Sequence, residues 1–209
     1  MQRAKFKCPW IDPEELWRRA DEARAKYWPE NTHPINMEEI IELKLRLNID
    51  FDFNLKPNYG IIAYLKNDLS GIVVDYTYYM KEALSNPLRF AIAHEMGHYI
   101  LHKKLFKLLN FTSTQDWIDF TMSLPEKIYS AFECQANEFA GRFLVPREEL
   151  EVKVREAIKT IKEANLTEIL VKDPDMALPL ITPPMHRYFG VSDDVIERRI
   201  QREKLWPPK

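Results

Sequence analysis

The stretch AIAHEMGHYILH, Ala91–His102, places two histidines four positions apart, and a glutamate directly follows the first of them. On an α-helix, residues i and i+4 lie above one another, so His94 and His98 can direct their rings to one point. Neutral imidazoles are good zinc donors, and two of them supply half of a tetrahedral shell. Glu95 is turned away from the ligand positions but can reach a water beside the metal, as the general base of an H-E-x-x-H protease does. The stretch therefore predicts a catalytic zinc site.

A chance match in an ordinary helix is the alternative, because short motifs produce false positives. The apolar flanks FAIA and YIL favour a buried helix. Gly97 lies inside this helix and lowers its stability by about 1 kcal/mol relative to alanine. Two buried histidines without partners would be unfavourable. A metal ion is the simplest partner for them.

A catalytic zinc has three protein ligands and one position for water, so the chain must supply a third ligand. His102 continues the i+4 series, but it lies two helical turns, about 12 Å, from His94. The chain also departs from the longer metzincin pattern H-E-x-x-H-x-x-G-x-x-H, because it lacks the glycine and the last histidine at these spacings. A supporting role beside the ligands, or a packing role, suits His102 better.

A better candidate for the third ligand lies in ECQANEFAGRFLVP, residues 133–146. The spacing of phenylalanines and alanines predicts a helix that places Glu133 beside its buried face. Asn137 lies one turn later and could hold a ligand histidine through its second ring nitrogen. The alternative for Glu133 is a half-buried carboxylate paired with an arginine such as Arg89.

The composition is that of a soluble globular protein of 209 residues, 45% of them hydrophobic and 30% charged. The formal net charge of −2 gives no general attraction to nucleic acid. No apolar run of about 18 residues predicts a membrane span, and the N-terminus lacks the features of a secretory signal. We therefore expect a cytoplasmic protein that does not contact membranes. With only Cys8 and Cys134, a disulfide framework is not expected.

The sequence resembles the ImmA/IrrE family of metallo-endopeptidases. The likeness covers residues 12–200 and rests on four stretches: LRFAIAHEMGHYILH, ECQANEFAGRFLVP, the upstream PINMEEIIELKLRLNI with its hairpin, and the terminal YFGVSDDVIERRI. The family is similar to thermolysin-type enzymes around the metal, which implies His94, His98 and Glu133 as zinc ligands and Glu95 as catalytic base. Known relatives cleave helix-turn-helix transcriptional repressors inside the cell. The resemblance thus implies a repressor as the protein substrate.

The chain is predicted to be an α+β protein, with helices packed around a small, three-stranded, mainly antiparallel sheet. The alternation in IDFDF predicts one strand, and GIIAYL and GIVVDY predict a hairpin. The helix that carries the histidines should begin at Asn86 and end near Phe106.

Two units are predicted along the chain. Residues 1–165 form a zincin-like metallopeptidase domain, and residues 166–209 form a proline-rich connection and a C-terminal helical segment packed on it. In the connection, DPDMALPLITPP carries four prolines and is expected to interrupt helical structure. Gly190 and Ser192 then mark a turn between two helical pieces, in an arrangement like a helix-turn-helix.

The predicted reaction is hydrolysis of a peptide bond. Glu95 would take a proton from the attacking water, whose pKa zinc lowers to about 7, and pass it to the leaving amine. A further donor should stabilise the oxyanion, and the candidates are Tyr129, His186 and Tyr188. One strand of the hairpin can pair with an extended substrate, because edge strands have unpaired backbone groups.

Two other classes of function stay open. A DNA-binding regulator is suggested by YFGVSDDVIERRI, in which Arg198 and Arg199 could face phosphates, although the neighbouring acidic residues offset their charge. A helical hairpin that supports the catalytic domain explains the same stretch and makes direct binding to nucleic acid the weaker hypothesis. The other class is an inactive metal-binding component of a toxin–antitoxin-like pair.

Overall fold

The protein is described by a computed structural model. The described residues are 6–109, 111, 113–164, 172 and 174–206.

Two helical segments precede the sheet. Helix α1 (Pro13–Tyr27) begins at Asp12, whose side chain accepts the Glu14 N–H at 3.1 Å, and has proline at its first position. Helix α2 (Met37–Glu39) continues into a π-helical turn, Ile40–Lys44.

A three-stranded sheet follows, with β1 (Asn48–Asp52), the short helix α3 (Leu55–Tyr59), β2 (Ala63–Leu65) and β3 (Gly71–Asp75). β3 is the central strand. The predicted hairpin is confirmed, because β2 and β3 pair antiparallel. β1 pairs parallel with β3, since the chain crosses through α3 and β2 before it returns in the direction of β1. The α+β class is thus confirmed, but the sheet is mixed and not mainly antiparallel.

Glycine is required where β1 meets β3. Gly71 pairs with Asn48, and a Cβ at Gly71 would lie 2.5 Å from the Asn48 carbonyl oxygen. All five residues of β3 are buried. Because β3 is central, β2 is an edge strand on one side of the sheet.

Two long helices carry the predicted ligands. After the short helix α4 (Tyr76–Met80) and a 3₁₀ turn (Glu82–Leu84), α5 (Ser85–Leu101) contains the two histidines and packs against β2. The short helices α6 (Lys103–Phe106) and α7 (Thr114–Met122) lead to α8 (Glu126–Leu144), which packs on both α5 and α1.

Helix α5 ends one turn earlier than predicted. His102 follows its last residue with φ −114° and ψ 11°, which is outside helical geometry, and the chain turns there into α6. His102 is nevertheless buried and remains close to His98.

Three helices complete the described chain: α9 (Arg147–Glu163), α10 (Pro174–Phe189) and α11 (Asp193–Arg202). α10 runs through three internal prolines, so the prediction that this stretch interrupts helical structure is wrong. One face of α10, with Leu178, Ile181 and Phe189, is buried in the hydrophobic core, and tertiary packing outweighs the local cost of proline. The Thr182 hydroxyl also donates to the Pro179 carbonyl at 3.4 Å.

The predicted turn at residues 190–192 is confirmed. Gly190 has φ 66°, and the Ser192 side chain accepts the Val195 N–H at the start of α11. The predicted boundary between residues 165 and 166 lies outside the described residues. Among the described helices, none has both the length and the apolar content that a membrane span needs.

A buried carboxylate joins the end of α11 to the helices around α8. The Glu203 side chain is 0% exposed and accepts hydrogen bonds from Arg142 Nη1 at 2.5 Å, Arg147 Nη1 at 2.9 Å and Arg199 Nη2. Arg142 also pairs with Asp21 of α1 at 2.7 Å. Burial alone would raise the pKa of Glu203, but Arg199 and Arg142 hold it below its ordinary value.

We expect Glu203→Ala to lower the free energy of unfolding by about 3 kcal/mol, because Arg199 would remain buried without its counter-charge and Arg142 would lose one of its two hydrogen-bonded carboxylate partners. Urea denaturation measures this change. Gln201→Ala, at an exposed position of the same helix, serves as the control and should change stability by less than about 0.5 kcal/mol. Equal effects of the two substitutions would contradict the role of the carboxylate.

Candidate metal centre

Three side chains from two helices converge on one point. His94 Nε2 and His98 Nε2, both from α5, lie 3.0 Å apart. Glu133 of α8 places Oε2 3.2 Å from His94 Nε2 and Oε1 3.7 Å from His98 Nε2. One ligand atom from each residue lies within 4.8 Å of the other two. The structure thus brings together the three predicted ligands.

Small residues at the contact between α5 and α8 make this convergence possible. A Cβ on Gly97 would lie 3.1 Å from Phe139 Cδ1 and 3.2 Å from the Ala136 carbonyl oxygen, so a larger residue would force the helices to shift. Ala136 and Ala140 are fully buried on the facing side of α8. Without this close approach, Glu133 could not reach both histidines.

The hydrogen bonds behind the rings indicate which nitrogens carry protons. His94 Nδ1 lies 3.0 Å from Asn137 Oδ1, to which it donates, so the neutral ring has its lone pair on Nε2. These tautomers are assigned from the hydrogen-bond network. Asn137 therefore lies where the sequence predicted it, one turn after Glu133 and behind a candidate ligand.

A longer chain of hydrogen bonds orients His98. Gln135 Nε2 donates to the Pro9 carbonyl at 2.9 Å, which turns Gln135 Oε1 toward His102 Nε2 at 2.9 Å. His102 donates from Nε2 to this oxygen, so its Nδ1 is an acceptor and lies 2.9 Å from His98 Nδ1. His98 must then donate from Nδ1, and its lone pair is on Nε2.

The convergent atoms form a donor set that fits a divalent metal ion. Two imidazole lone pairs and a carboxylate face one another without a hydrogen atom between the two rings, and such a set needs a cation. Burial lowers the pKa of His94, but the Glu133 and Glu95 carboxylates outweigh this and raise it. Burial lowers the pKa of His98 well below its ordinary value, so this ring stays neutral. Without a metal ion, the two carboxylates thus favour the protonated form of His94 more than an ordinary environment does.

Glu95 lies beside the convergent atoms without joining them. Its Oε2 accepts the Leu65 backbone N–H of β2 at 2.8 Å. Burial raises the pKa of Glu95 to about 7. This carboxyl group can therefore gain and lose a proton near neutral pH, as a general base or acid requires.

A cavity of about 200 Å³ opens onto the candidate ligands. β2 and the residues before it form part of the wall, through Ile61, Ala63 and Tyr64, and α7 forms another part. Tyr129 also lines the cavity and is 42% exposed. Burial, followed by the Glu133 charge, raises the pKa of Tyr129, so its hydroxyl stays protonated and can donate.

Residues 85–201 match the peptidase family M78, whose domain is described as the IrrE N-terminal-like domain. The chain belongs to the M78 family. This assignment confirms the resemblance to the ImmA/IrrE proteins and places the chain in a metallopeptidase-type family. No curated protein and no solved structure matches the chain.

Two of the predicted oxyanion donors lie elsewhere in the M78 domain. His186 Nδ1 is 3.5 Å from Asp193, and the Tyr188 hydroxyl donates to Glu149 at 3.2 Å. Both side chains belong to α10, which packs on α9 and α11 rather than beside the metal-site cavity. Of the three candidates, Tyr129 alone lines this cavity.

The alternative pairing of Glu133 with Arg89 is wrong. Arg89 donates to the carbonyls of Ile35 at 3.0 Å and Gly190 at 2.6 Å, and thereby links α5 to the segments before α2 and after α10. Glu133 instead faces the two histidines.

The sequence did not reveal several groups of the site. Gln135 and the Pro9 carbonyl orient His98 through His102, although Pro9 is far from the motif in sequence. The Leu65 N–H and the wall formed by α7 also carry no recognisable motif. A glutamine two residues after Glu133 gave no signal, because its role depends on where residues 6–10 pack.

We expect Gln135→Met to change the tautomer of His98 in the zinc-free protein. Without an acceptor at residue 135, His102 can hold its proton on Nδ1, and His98 then loses the acceptor for its own Nδ1–H. Long-range proton–nitrogen NMR correlation at mildly alkaline pH should show His98 as the Nδ1–H tautomer in the wild type and as a mixture in the variant.

Cys134→Ser, at the exposed neighbouring position, is the matched control, since it leaves the Gln135 amide in place and should keep the wild-type pattern. Identical nitrogen shifts in all three proteins would mean that Gln135 does not determine the tautomer.

Proposed function

We propose that this protein is a zinc-dependent metallo-endopeptidase. The observation that carries the proposal is the convergence of three candidate donors, from His94, His98 and Glu133, beside the buried Glu95 carboxyl in a cavity. Membership of the M78 family supports the same class of activity.

Zinc is the metal that this donor set suits best. Two imidazole nitrogens and one carboxylate oxygen are the ligand types of catalytic zinc sites that keep a position open for water. When bound, zinc polarises the peptide carbonyl and lowers the pKa of water to about 7. Asn137 and the His102–Gln135 pair would hold the two histidines in the tautomers that leave Nε2 free.

Glu95 is the proposed general base. Its carboxylate takes a proton from the attacking water and passes it to the nitrogen of the leaving amine. Burial raises the pKa of Glu95 to about 7 in the metal-free site, and the charge of a bound zinc ion would lower it, so the carboxylate is the form that meets the water. The hydrogen bond from Leu65 N–H holds the carboxylate in position beside the histidines.

The outer edge of β2 is the proposed binding surface for the substrate backbone. Ile62 and Lys66 bond to β3, so the backbone groups of Ala63 and Leu65 face away from the sheet. The Leu65 N–H donates to Glu95, which leaves the Ala63 N–H and the carbonyls of both residues for a substrate. An extended peptide could pair with this edge and pass the candidate ligands. Tyr129 is then the proposed donor to the carbonyl oxygen of the scissile bond.

The metal is tested by elemental analysis of proteins purified without added metal. We expect near-stoichiometric zinc in the wild type and loss of zinc in Glu133→Ala, because the third ligand is removed. Glu126→Ala, at an exposed position of the same helix, is the control and should retain zinc. Wild-type protein that stays zinc-free after reconstitution would refute the proposed site.

The chemistry is tested in the same preparations with Glu95→Gln. Glutamine preserves the shape of the side chain but cannot take up the proton, so we expect normal zinc content and a loss of cleavage of at least about 100-fold. Retained turnover would refute Glu95 as the base, and an inactive wild type with bound zinc would favour a metal-binding partner protein.

The proposed substrate is a helix-turn-helix transcriptional repressor, as the resemblance to the ImmA/IrrE family implies. Quantitative labelling of new protein N-termini in cells that express wild type or Glu95→Gln tests this substrate. We expect a few new termini, located in repressors and dependent on Glu95. New termini confined to unrelated proteins would contradict this substrate class while leaving the peptidase activity intact.

The structure gives little support to a DNA-binding regulator. Arg199, one of the two arginines assigned to phosphate contacts, is 3% exposed and bonds to Glu203. Arg198 is exposed, but a single free arginine provides little electrostatic affinity for a duplex.

A further inference from the structure

A second cavity, of about 310 Å³, lies beside the metal centre between α5, α8 and α11. Asn137 lines this cavity and contacts His94 at 3.0 Å. Ile62 also lines it, while its neighbours Ile61 and Ala63 line the metal-site cavity. The two cavities are therefore adjacent: the metal-site cavity opens onto the ligand side of His94, and the second cavity reaches Asn137 behind its ring.

The walls of the second cavity are mainly apolar and come from four parts of the chain. They include Ile62, Pro87, Phe90, Ala91, Gly141 and Val195. Several of these side chains, such as Phe90 and Val195, are half-buried, so part of their surface is still open to the cavity. An apolar group placed there would remove this surface from water, which is the main source of affinity in such pockets.

The charges around the second cavity do not select an anionic occupant. Three arginines line it, but Arg202 Nε pairs with Glu138 at 2.9 Å and Arg199 pairs with Glu203. The third, Arg198, is exposed. Arg199 and Arg202 thus each have a carboxylate partner, while Arg199 Nε and Nη1 have no hydrogen-bond partner among the described residues. The larger part of the cavity wall is apolar.

We infer that the second cavity is a specificity subsite for a bulky apolar side chain, of the leucine, methionine or phenylalanine class, next to the scissile bond. The inference rests on the proposed peptidase function and names its substrate preference. A peptide paired with the outer edge of β2 passes Ala63 and reaches Ile62 one residue, about 3.3 Å, further along. Because Ile62 faces the second cavity, a substrate side chain at this level can enter it.

The subsite is tested with a library of peptides derived from a proteome, whose cleavage sites are read by mass spectrometry. We expect wild-type protein to prefer large apolar residues at one position beside the cleaved bond. Val195→Trp fills the cavity and should shift this preference toward alanine, glycine and serine by about tenfold or more. Val195→Ala enlarges the cavity and should shift the preference toward still larger side chains such as tryptophan; an unchanged preference in this variant would also overturn the subsite.

Leu180→Trp, at an exposed position of α10, is the matched control and should leave the preference unchanged. Zinc content and the unfolding midpoint are measured for every variant, so that a folding defect is recognised. If Val195→Trp does not fold, the comparison of Val195→Ala with the wild type tests the subsite. Cleavage without a preference, a preference for acidic residues, or the same preference in Val195→Trp would overturn the subsite while the peptidase function stands. Zinc-loaded wild type that cleaves no peptide would instead overturn the peptidase function, and the subsite with it.

Discussion

The contact between α5 and α8 at Gly97 is the constraint on which the candidate site depends. Gly97 has no side chain and faces Ala136 of α8, so the backbones of the two helices lie close together. A side chain at residue 97 would clash with α8. This distance lets Glu133 reach both histidines. The glycine lowers intrinsic helix stability by about 1 kcal/mol, and the buried contact between the two long helices compensates for it.

The same packing positions the groups behind the ligands. Asn137, one turn after Glu133, contacts His94, and Gln135 contacts His102, which in turn contacts His98. The Nδ1 atom of each candidate ligand histidine therefore donates to a neighbouring side chain. The lone pairs on the Nε2 atoms face the Glu133 carboxylate. The Pro9 carbonyl is the last acceptor in this series of hydrogen bonds. The segment before α1 therefore contributes to the orientation of His98.

The cleft beside these ligands combines elements that are separate in sequence. The edge strand β2 supplies the Leu65 N–H to Glu95 and keeps the outward-facing groups of Ala63 for a substrate, and α7 also lines the metal-site cavity. The helices after α8 close the second cavity through α11, which Glu203 holds in place through buried arginines. Burial of Glu95 between these elements raises its pKa to about 7 in the metal-free site.

The sequence by itself predicted the α+β class, the hairpin, the two long helices and the residues that converge. These features depend on local spacing: i and i+4 histidines share a helix face, and alternating apolar residues form strands. Tertiary structure alone decided that β1 pairs parallel with β3, that α10 continues through its prolines, and that His186 and Tyr188 lie away from the cleft. It also decided that Gln135 and Pro9 support His98. Such outcomes depend on which distant segments pack together, because burial against another element can outweigh a local preference. Neither the composition nor the spacing of residues shows which segments pack together.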